Sequence, residues 1–330
     1  MIAYLDFEKP IAELQARIAE LKETTEGGST NIDSEIRKLE VKADRLLQET
    51  YAKLTPWQKT QVARHQQRPH FKDYVSRLVE DFVPMAGDRA FADDRAIIGG
   101  LGRMNGRRVM VIGHEKGNDT ASRLKHNFGM GKPEGYRKAV RLMQLADRFG
   151  ISVVTIVDTA GAFPGIEAEE RSQAEAIARS TQATLDLKVP VVAAIVGEGG
   201  SGGAVGLAAA NRVVMFEHAI YSVITPEGCA SILWRTADKA AEAAEAMRIT
   251  AADVHRLGVI DTVVAEPVGG AHRSPARHRC RRPRARRARR AGGRGLHLGE
   301  AGSHGARVPG CARRTRRHLP RALDVRGLQR

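Results

Sequence analysis

The chain has 330 residues with 53 Lys plus Arg against 38 Asp plus Glu, a formal net charge of +15. From Arg277 onward lie 18 Arg, no Lys and only two acids, Glu300 and Asp324, whereas residues 1–276 carry 35 basic and 36 acidic side chains. The near-neutral part holds one cysteine, Cys229, which excludes a disulfide framework and a Cys-rich zinc site.

Met1 to Pro10 lacks the basic start and apolar stretch of a signal peptide. Ile11, Leu14, Ile18 and Leu21, then Ile32, Ile36, Leu39, Ala43 and Leu46, step by three and four residues. They predict two amphipathic helices around a break at Thr24–Thr30, a helical hairpin over residues 1–55. Thr55 to Pro69 reads as a polar bridge. Arg95–Leu101 and Arg107–Ile112 flank Asn105-Gly106 as two hairpin strands. A helix is expected over Glu134–Phe149, a buried strand over Ile151–Val157, a helix over Glu167–Leu187 and a buried strand over Val189–Val196. A short Ala-rich helix (Ser201–Ala210), strands at Val213–Phe216 and Ile220–Ile224, helices over Glu227–Leu257 and a strand at Val259–Val264 complete the pattern. Alternating strands and helices place an α/β pattern around residues 70–268, within a domain expected over 56–275. No apolar run reaches the roughly 18 residues of a membrane span. A soluble, cytoplasmic protein is expected.

Residues 276–330 lack Ile, Phe, Tyr, Trp, Met, Asn and Lys, so they offer little to bury and are expected to be disordered. Arg, Ala, Gly and Pro, whose codons are rich in G and C, dominate this stretch. Two origins are open. One is a reading-frame shift near residues 274–277; the other is an arginine-rich arm for nucleic acid or an acidic surface.

The chemistry is expected near Gly197-Glu198-Gly199-Gly200-Ser201-Gly202-Gly203-Ala204, which leaves a buried strand and opens a helix. Glycines there permit close approach to backbone N–H groups at the positive end of a helix dipole. Gly197, Gly199 and Gly202 fit the dinucleotide pattern G-x-G-x-x-G, with Glu217 near the place of a ribose-binding acid. No Lys-Ser/Thr follows, which disfavours a P-loop. Gly199 to Gly203 also fits the nucleophile elbow G-x-S-x-G, with His218 or His255 as base and Asp238 before the latter. Ser201 could equally cap the helix. A third reading adds the Asp158–Gly165 loop, again strand to glycine turn to helix, so that two sets of N–H groups flank an oxyanion. A non-enzymatic scaffold remains open as well.

Several segments carry a resemblance: Asn127–Met130 with Pro133–Lys138, Asp158–Gly165, Ala168–Arg171, Gly197–Ala204 and Ser222–Trp234. Together with Leu5–Ile11 and Glu266–Arg273, they resemble the carboxyltransferase alpha subunits of bacterial acetyl-CoA carboxylases over about residues 4–275. The family ends in an acid- and Leu-rich helical segment, which this chain replaces with the arginine tail. The resemblance implies a crotonase-like fold of stacked ββα units. It further implies a beta-subunit partner bearing a zinc ribbon, a biotin carboxyl carrier protein, and a biotin carboxylase that uses ATP, in a complex containing a heterotetramer. That complex moves the carboxyl group from carboxybiotin to acetyl-CoA, giving malonyl-CoA for fatty-acid synthesis.

On this reading Gly202 and Gly203 are expected as N–H donors to the biotin ureido oxygen. Gly199, Gly200 and Ser201, with Gly161, Ala162, Phe163, Pro164 and Gly165, would shape the substrate pocket. Lys132, Arg137 and Arg171 are candidates for CoA phosphates or partner contacts, with plain solvated helix charges as the alternative. Glu198 is expected to be structural, with ordering of the loop as the alternative. No metal, no membrane contact and no functional nucleic-acid binding are expected of this chain.

Overall fold

A computed structural model describes residues 3–24 and 30–273. Most of the break within the N-terminal hairpin and the Arg-rich stretch from 276 therefore lie outside the described residues.

Helices α1 (Lys9–Thr24) and α2 (Thr30–Ala52) pack along the seam expected from the sequence. Ile18, Ile36 and Ala43 are buried there, with Leu14, Leu21, Ile32 and Leu39 against them. The presumed polar bridge contains a further helix, α3 (Pro56–Ala63). Thr55 and Gln58 close a capping box around its first turn, with Pro56 at the first helical position. Then come α4 (Phe71–Leu78) and the edge strand β1 (Glu80–Pro84), whose exposed acids and proline hid it from a hydrophobic pattern.

β2 (Ile97–Met104) and β3 (Arg107–His114) form the expected hairpin. Asn105 (φ 51°) and Gly106 (φ 76°) supply the left-handed pair that a two-residue turn needs. Beyond α5 (Thr120–Lys125) and α6 (Pro133–Arg148), β4 (Ser152–Thr159) lies parallel to β3. The helix expected over Glu167–Leu187 is two, α7 (Ile166–Glu169) and α8 (Gln173–Asp186), because Ser172 turns left-handed at φ 63°. β5 (Val191–Gly200) runs straight through the first glycines, and α9 (Ser201–Ala208) begins at once. β6 (Arg212–Phe216) and β7 (Ile220–Ser222) follow. β7 stops early because the Ser222 hydroxyl donates to the Ile224 carbonyl at 2.6 Å, turning the chain. The long C-terminal helical region resolves into α10 (Pro226–Trp234), α11 (Ala240–Ala246) and α12 (Ala251–Arg256). Left-handed Arg235 closes α10, and left-handed Arg248 lies between α11 and α12. The last strand, β8, is only Thr262–Val264.

The sheet order is β1-β2-β3-β4-β5-β6-β8, antiparallel through β3 and parallel thereafter. β7 pairs with the far end of β5, beyond the stretch covered by β6. Adjacent residues of a strand face opposite sides. A Cβ at Gly113 would meet Phe71 of α4, while neighbouring Ile112 lies by Gly99, whose own Cβ would meet Leu142 of α6. Helices α4 and α6 therefore cover opposite faces, and β4 and β5 lie between them, almost wholly buried. Near the far end of the described chain, Arg273 pairs with Glu8 at 2.7 Å and Tyr51 donates to the same carboxylate at 2.7 Å. His272 stacks on His65 with centroids 3.9 Å apart. These contacts fasten both termini of the described chain to α2 and the turn after α3.

Candidate active site

The two glycine loops leave neighbouring parallel strands. Thr159 at the end of β4 pairs with Gly199 of β5, so both loops emerge at the same sheet edge. They then touch backbone to backbone. A Cβ on Gly200 would lie 2.1 Å from the Ala160 carbonyl oxygen, and one on Gly203 would lie 2.5 Å from the Gly161 carbonyl carbon. Gly203 thus serves packing between loops. A Cβ on Gly202 would meet only Ile177, at an ordinary 3.5 Å. Gly199 is excluded from bearing a side chain by Tyr221, and Gly197 by the Asp158 carboxylate.

The amides of the two loops are not equivalent. In the β4 loop, the Gly161 N–H donates to the Thr159 hydroxyl at 3.1 Å and the Phe163 N–H to the Gly131 carbonyl at 3.0 Å. That leaves Ala162 between two committed neighbours. At the start of α9 the capping position is Gly200, which has no side chain to accept from the first turn. The N–H groups of Ser201, Gly202 and Gly203 carry the positive end of the helix without a capping oxygen. Ser201 adopts φ 53° in the strand-to-helix turn, a strained conformation for a non-glycine residue. Beside it opens a largely apolar cavity of about 460 Å³, reached by Ser201, Val205, Tyr221, Val223, Ile224 and Cys229.

The outer residues named from the sequence behave differently. Phe163 folds back over Gly165, where a Cβ would strike its ring, and Lys132 sits 5.0 Å above that ring. Pro164 stands between them in the turn before α7. Lys132 pairs with Glu167 at 2.5 Å, Arg137 with Asp88 at 2.8 Å and Arg171 with Glu134. These three cations already hold carboxylates of this chain.

Beneath the loops lies an ion network that local spacing did not reveal. Asp158, at the end of β4, accepts the Glu198 backbone N–H at 2.9 Å and the Lys116 ammonium at 2.9 Å; His70 lies 3.4 Å from its other oxygen. Lys116 also reaches Glu198 at 2.6 Å, and Arg64 binds the other oxygen of Glu198 at 2.6 Å. Arg64 continues to Glu227 at the start of α10, at 2.5 and 3.3 Å. Burial works to raise the Asp158 and Glu198 carboxyls, yet the cations beside them hold both below their ordinary range. His114 is fully buried beside the Gly203 backbone, and burial lowers it to about 4. Arg64 and Glu198 are 134 residues apart in the chain, so only the fold joins them.

The two competing motif readings lose their partners here. One oxygen of the Glu217 carboxylate accepts the Glu266 backbone N–H at 3.0 Å, which turns this acid toward the chain's own backbone. Among the described residues no hydrogen bond joins Ser201 to a histidine. His218 instead packs edge-on against Tyr51, and His255 lies in the last turn of α12.

The same arrangement of strands and helices occurs in solved carboxyl-transferring enzymes. The 12S component of transcarboxylase, with methylmalonyl-coenzyme A bound, superposes with a TM-score of 0.52 at 18% identity, over 68% of this chain and 44% of that one. A single-chain, multi-domain long-chain acyl-CoA carboxylase gives 0.50 at 20% identity, over 66% of this chain and 23% of the other. The fold is that of the crotonase-like carboxyltransferases. Residues 4–282 match the family described as acetyl co-enzyme A carboxylase carboxyltransferase-like. The acetyl-coenzyme A carboxylase carboxyl transferase subunit alpha of Rhizorhabdus wittichii is 76% identical over 276 residues, 84% of this chain and 88% of that protein. Its counterpart from Zymomonas mobilis is 69% identical over 275 residues, covering 83% and 88%. The chain belongs to the family of acetyl-CoA carboxylase carboxyltransferase alpha subunits. No helix among the described residues is long and apolar enough to cross a membrane.

Proposed function

We propose that this chain is the alpha subunit of an acetyl-CoA carboxylase carboxyltransferase. It would take the carboxyl group from carboxybiotin on a biotin carboxyl carrier protein and give it to acetyl-CoA, forming malonyl-CoA. The observation that carries the assignment is the uncapped start of α9, pressed against the Asp158–Gly165 loop at the end of two parallel strands. Family membership supplies the reaction.

The chemistry needs what this corner offers. Loss of the carboxyl group leaves negative charge on the biotin ureido oxygen, and removal of a methyl proton leaves an enolate on the thioester. Preorganised N–H donors in a site shielded from water stabilise such oxygens, each contributing roughly 3–4 kcal/mol. In our reading Gly202 and Gly203 face the ureido oxygen, and Gly199, Gly200 and Ser201 with the Gly161–Gly165 turn wall the ring. The biotin anion can itself accept the acetyl proton, so no catalytic carboxylate is required. Asp158 and Glu198 fit that view, being engaged by cations. Lys132, Arg137 and Arg171 are retained for CoA phosphates or a partner only through release from their present carboxylates.

The reading assigns the zinc ribbon to a beta subunit and ATP use to a biotin carboxylase. It divides the chain into a hairpin (1–55), a carboxyltransferase domain (56–275) and a stretch (276–330) translated out of frame. Resequencing decides the last point: an intact frame with no apolar-periodic continuation in the other frames overturns it. For the function, the purified chain is mixed with a zinc-ribbon beta subunit, and consumption of malonyl-CoA is followed with added biotin derivative. Activity in the mixture and in neither chain alone is expected. Formation of the complex without biotin-dependent turnover would contradict the proposal.

A further inference from the structure

Arg64 links the glycine strand to α10 through its side chain. It stands at the C-terminal end of α3 and its guanidinium is divided between two carboxylates. Its Nε donates to Glu198, the residue between Gly197 and Gly199, at 2.6 Å. Its two terminal nitrogens grip Glu227, in the first turn of α10, at 2.5 and 3.3 Å. Glu198 is buried and its second oxygen is held by Lys116, so its position is set from two sides. β7, which leads into α10, pairs with Glu198, Gly199 and Gly200, so α10 is tied to the glycine strand through the backbone as well.

α10 itself is an unusual anchor. Ile232 and Leu233 near its C-terminal end and Val223 just before it are largely exposed, at 66%, 63% and 80%, while Pro226 and Ala230 are buried. The Thr225 cap, the buried Pro226 and the fork from Arg64 hold its first turn. A planar fork suits this task. Its Nε and its two terminal nitrogens give each carboxylate its own donors in one rigid plane, which a lysine at this position would not supply.

We propose that Arg64 is a positioning residue for carboxyl transfer: by bridging Glu198 and Glu227 it sets α10 against the Gly197–Gly203 segment and so fixes where the α9 amides point. The inference rests on the reading of those amides as the oxyanion donors. Arg64 touches no substrate; it acts through Glu198. A loop displaced by even 1 Å loses about a hundredfold in rate, so small movements suffice.

The test uses the assembled complex with its beta partner, scored per assembled particle. Arg64→Gln is expected to lower kcat by about tenfold to a hundredfold while the KM for acetyl-CoA stays within about twofold. Arg64→Lys should fail to restore it. Glu227→Gln should lower kcat less, and the Arg64→Gln/Glu227→Gln pair should be no worse than Arg64→Gln alone, because both act through one link. A residue needed only for folding would reduce the yield of complex and its melting temperature yet leave kcat per particle unchanged. That outcome overturns the proposal. Should Arg64→Gln not assemble, Glu227→Gln carries the test, since its carboxylate is one-third exposed; wild-type kcat there refutes it. A Gly203→Val complex run alongside separates the two levels. If it turns over normally, the oxyanion reading itself fails. If it is dead while the Arg64 variants are normal, only the role of Arg64 fails.

Discussion

Gly203→Ala and Gly202→Ala differ by one position, and the structure predicts opposite outcomes. A methyl on Gly203 would sit 2.5 Å from the Gly161 carbonyl carbon and 2.6 Å from the Ala162 nitrogen, both backbone atoms. Ordinary contact begins about 1 Å further out, so the two loops must separate by about that much. Overpacking of this kind costs about 1–3 kcal/mol. A 1 Å error in donor placement costs about a hundredfold in rate. A methyl on Gly202 meets only the Ile177 side chain at 3.5 Å, within a helix where alanine is favoured over glycine by up to about 1 kcal/mol. Denaturant unfolding of the isolated chain and malonyl-CoA turnover by the complex read the two effects. Gly203→Ala should be less stable and nearly inactive, Gly202→Ala at least as stable and active within a few-fold. Equal behaviour of the two variants would refute the claim that backbone contact between the loops builds the site.

Arg68 and Glu266 form a pair whose side chains are each 1% exposed. Burial opposes ionisation of Glu266, but Arg68 holds it down at about 2. Its stabilisation is therefore present above about pH 4.5 and lost as pH falls through about 2. Arg68→Met should cost about 3–5 kcal/mol at pH 7, and the penalty should begin to shrink already above about pH 4.5, because the buried, unpaired Glu266 takes up a proton early; a pH-independent penalty would contradict this. Burial lowers His272 to about 2, with His65 and Arg68 adding to the effect. It stays neutral when folded while the unfolded chain protonates below about pH 6.5, so stability falls as pH drops from there. His272→Phe should flatten the slope between pH 6 and 4 by about 1.4 kcal/mol per pH unit, and an unchanged slope would show the stack is not its source.

The parts of the fold visible in the sequence are those with an unbroken hydrophobic period. The seam from Leu14 to Ala43 and the Asn105-Gly106 turn fall where expected, and the runs Ile151–Val157 and Val189–Val196 each carry a buried strand that starts one or two residues later and ends beyond the run. α3 was missed despite a readable sign, Thr55-Pro56 with Gln58, because its apolar positions are few. β1 was missed because an edge strand carries no alternation when neither face is deeply covered. The breaks at Ser172 and Arg235 depend on left-handed backbone that non-glycine residues rarely announce. Both glycine loops could be read as ligand-facing, but the sequence could not separate their duties. Gly203 and Gly200 are small for each other's loop, while Gly202 has room. The network of Arg64, Lys116, Asp158, Glu198 and Glu227 had no local sign, since its members come from five distant segments.

The central claim is that backbone amides at the start of α9 hold the oxyanion. It is tested most directly by exchanging the single N–H of Gly203 for an ester oxygen, with glycolic acid incorporated at that position in the assembled complex. No side chain changes, the contact with Gly161 is preserved, and only the donor is removed. The account predicts a fall in kcat of about 10²–10³ with the KM for acetyl-CoA little altered. Turnover equal to the all-amide protein, with the same exchange at Gly202 equally silent, would contradict it.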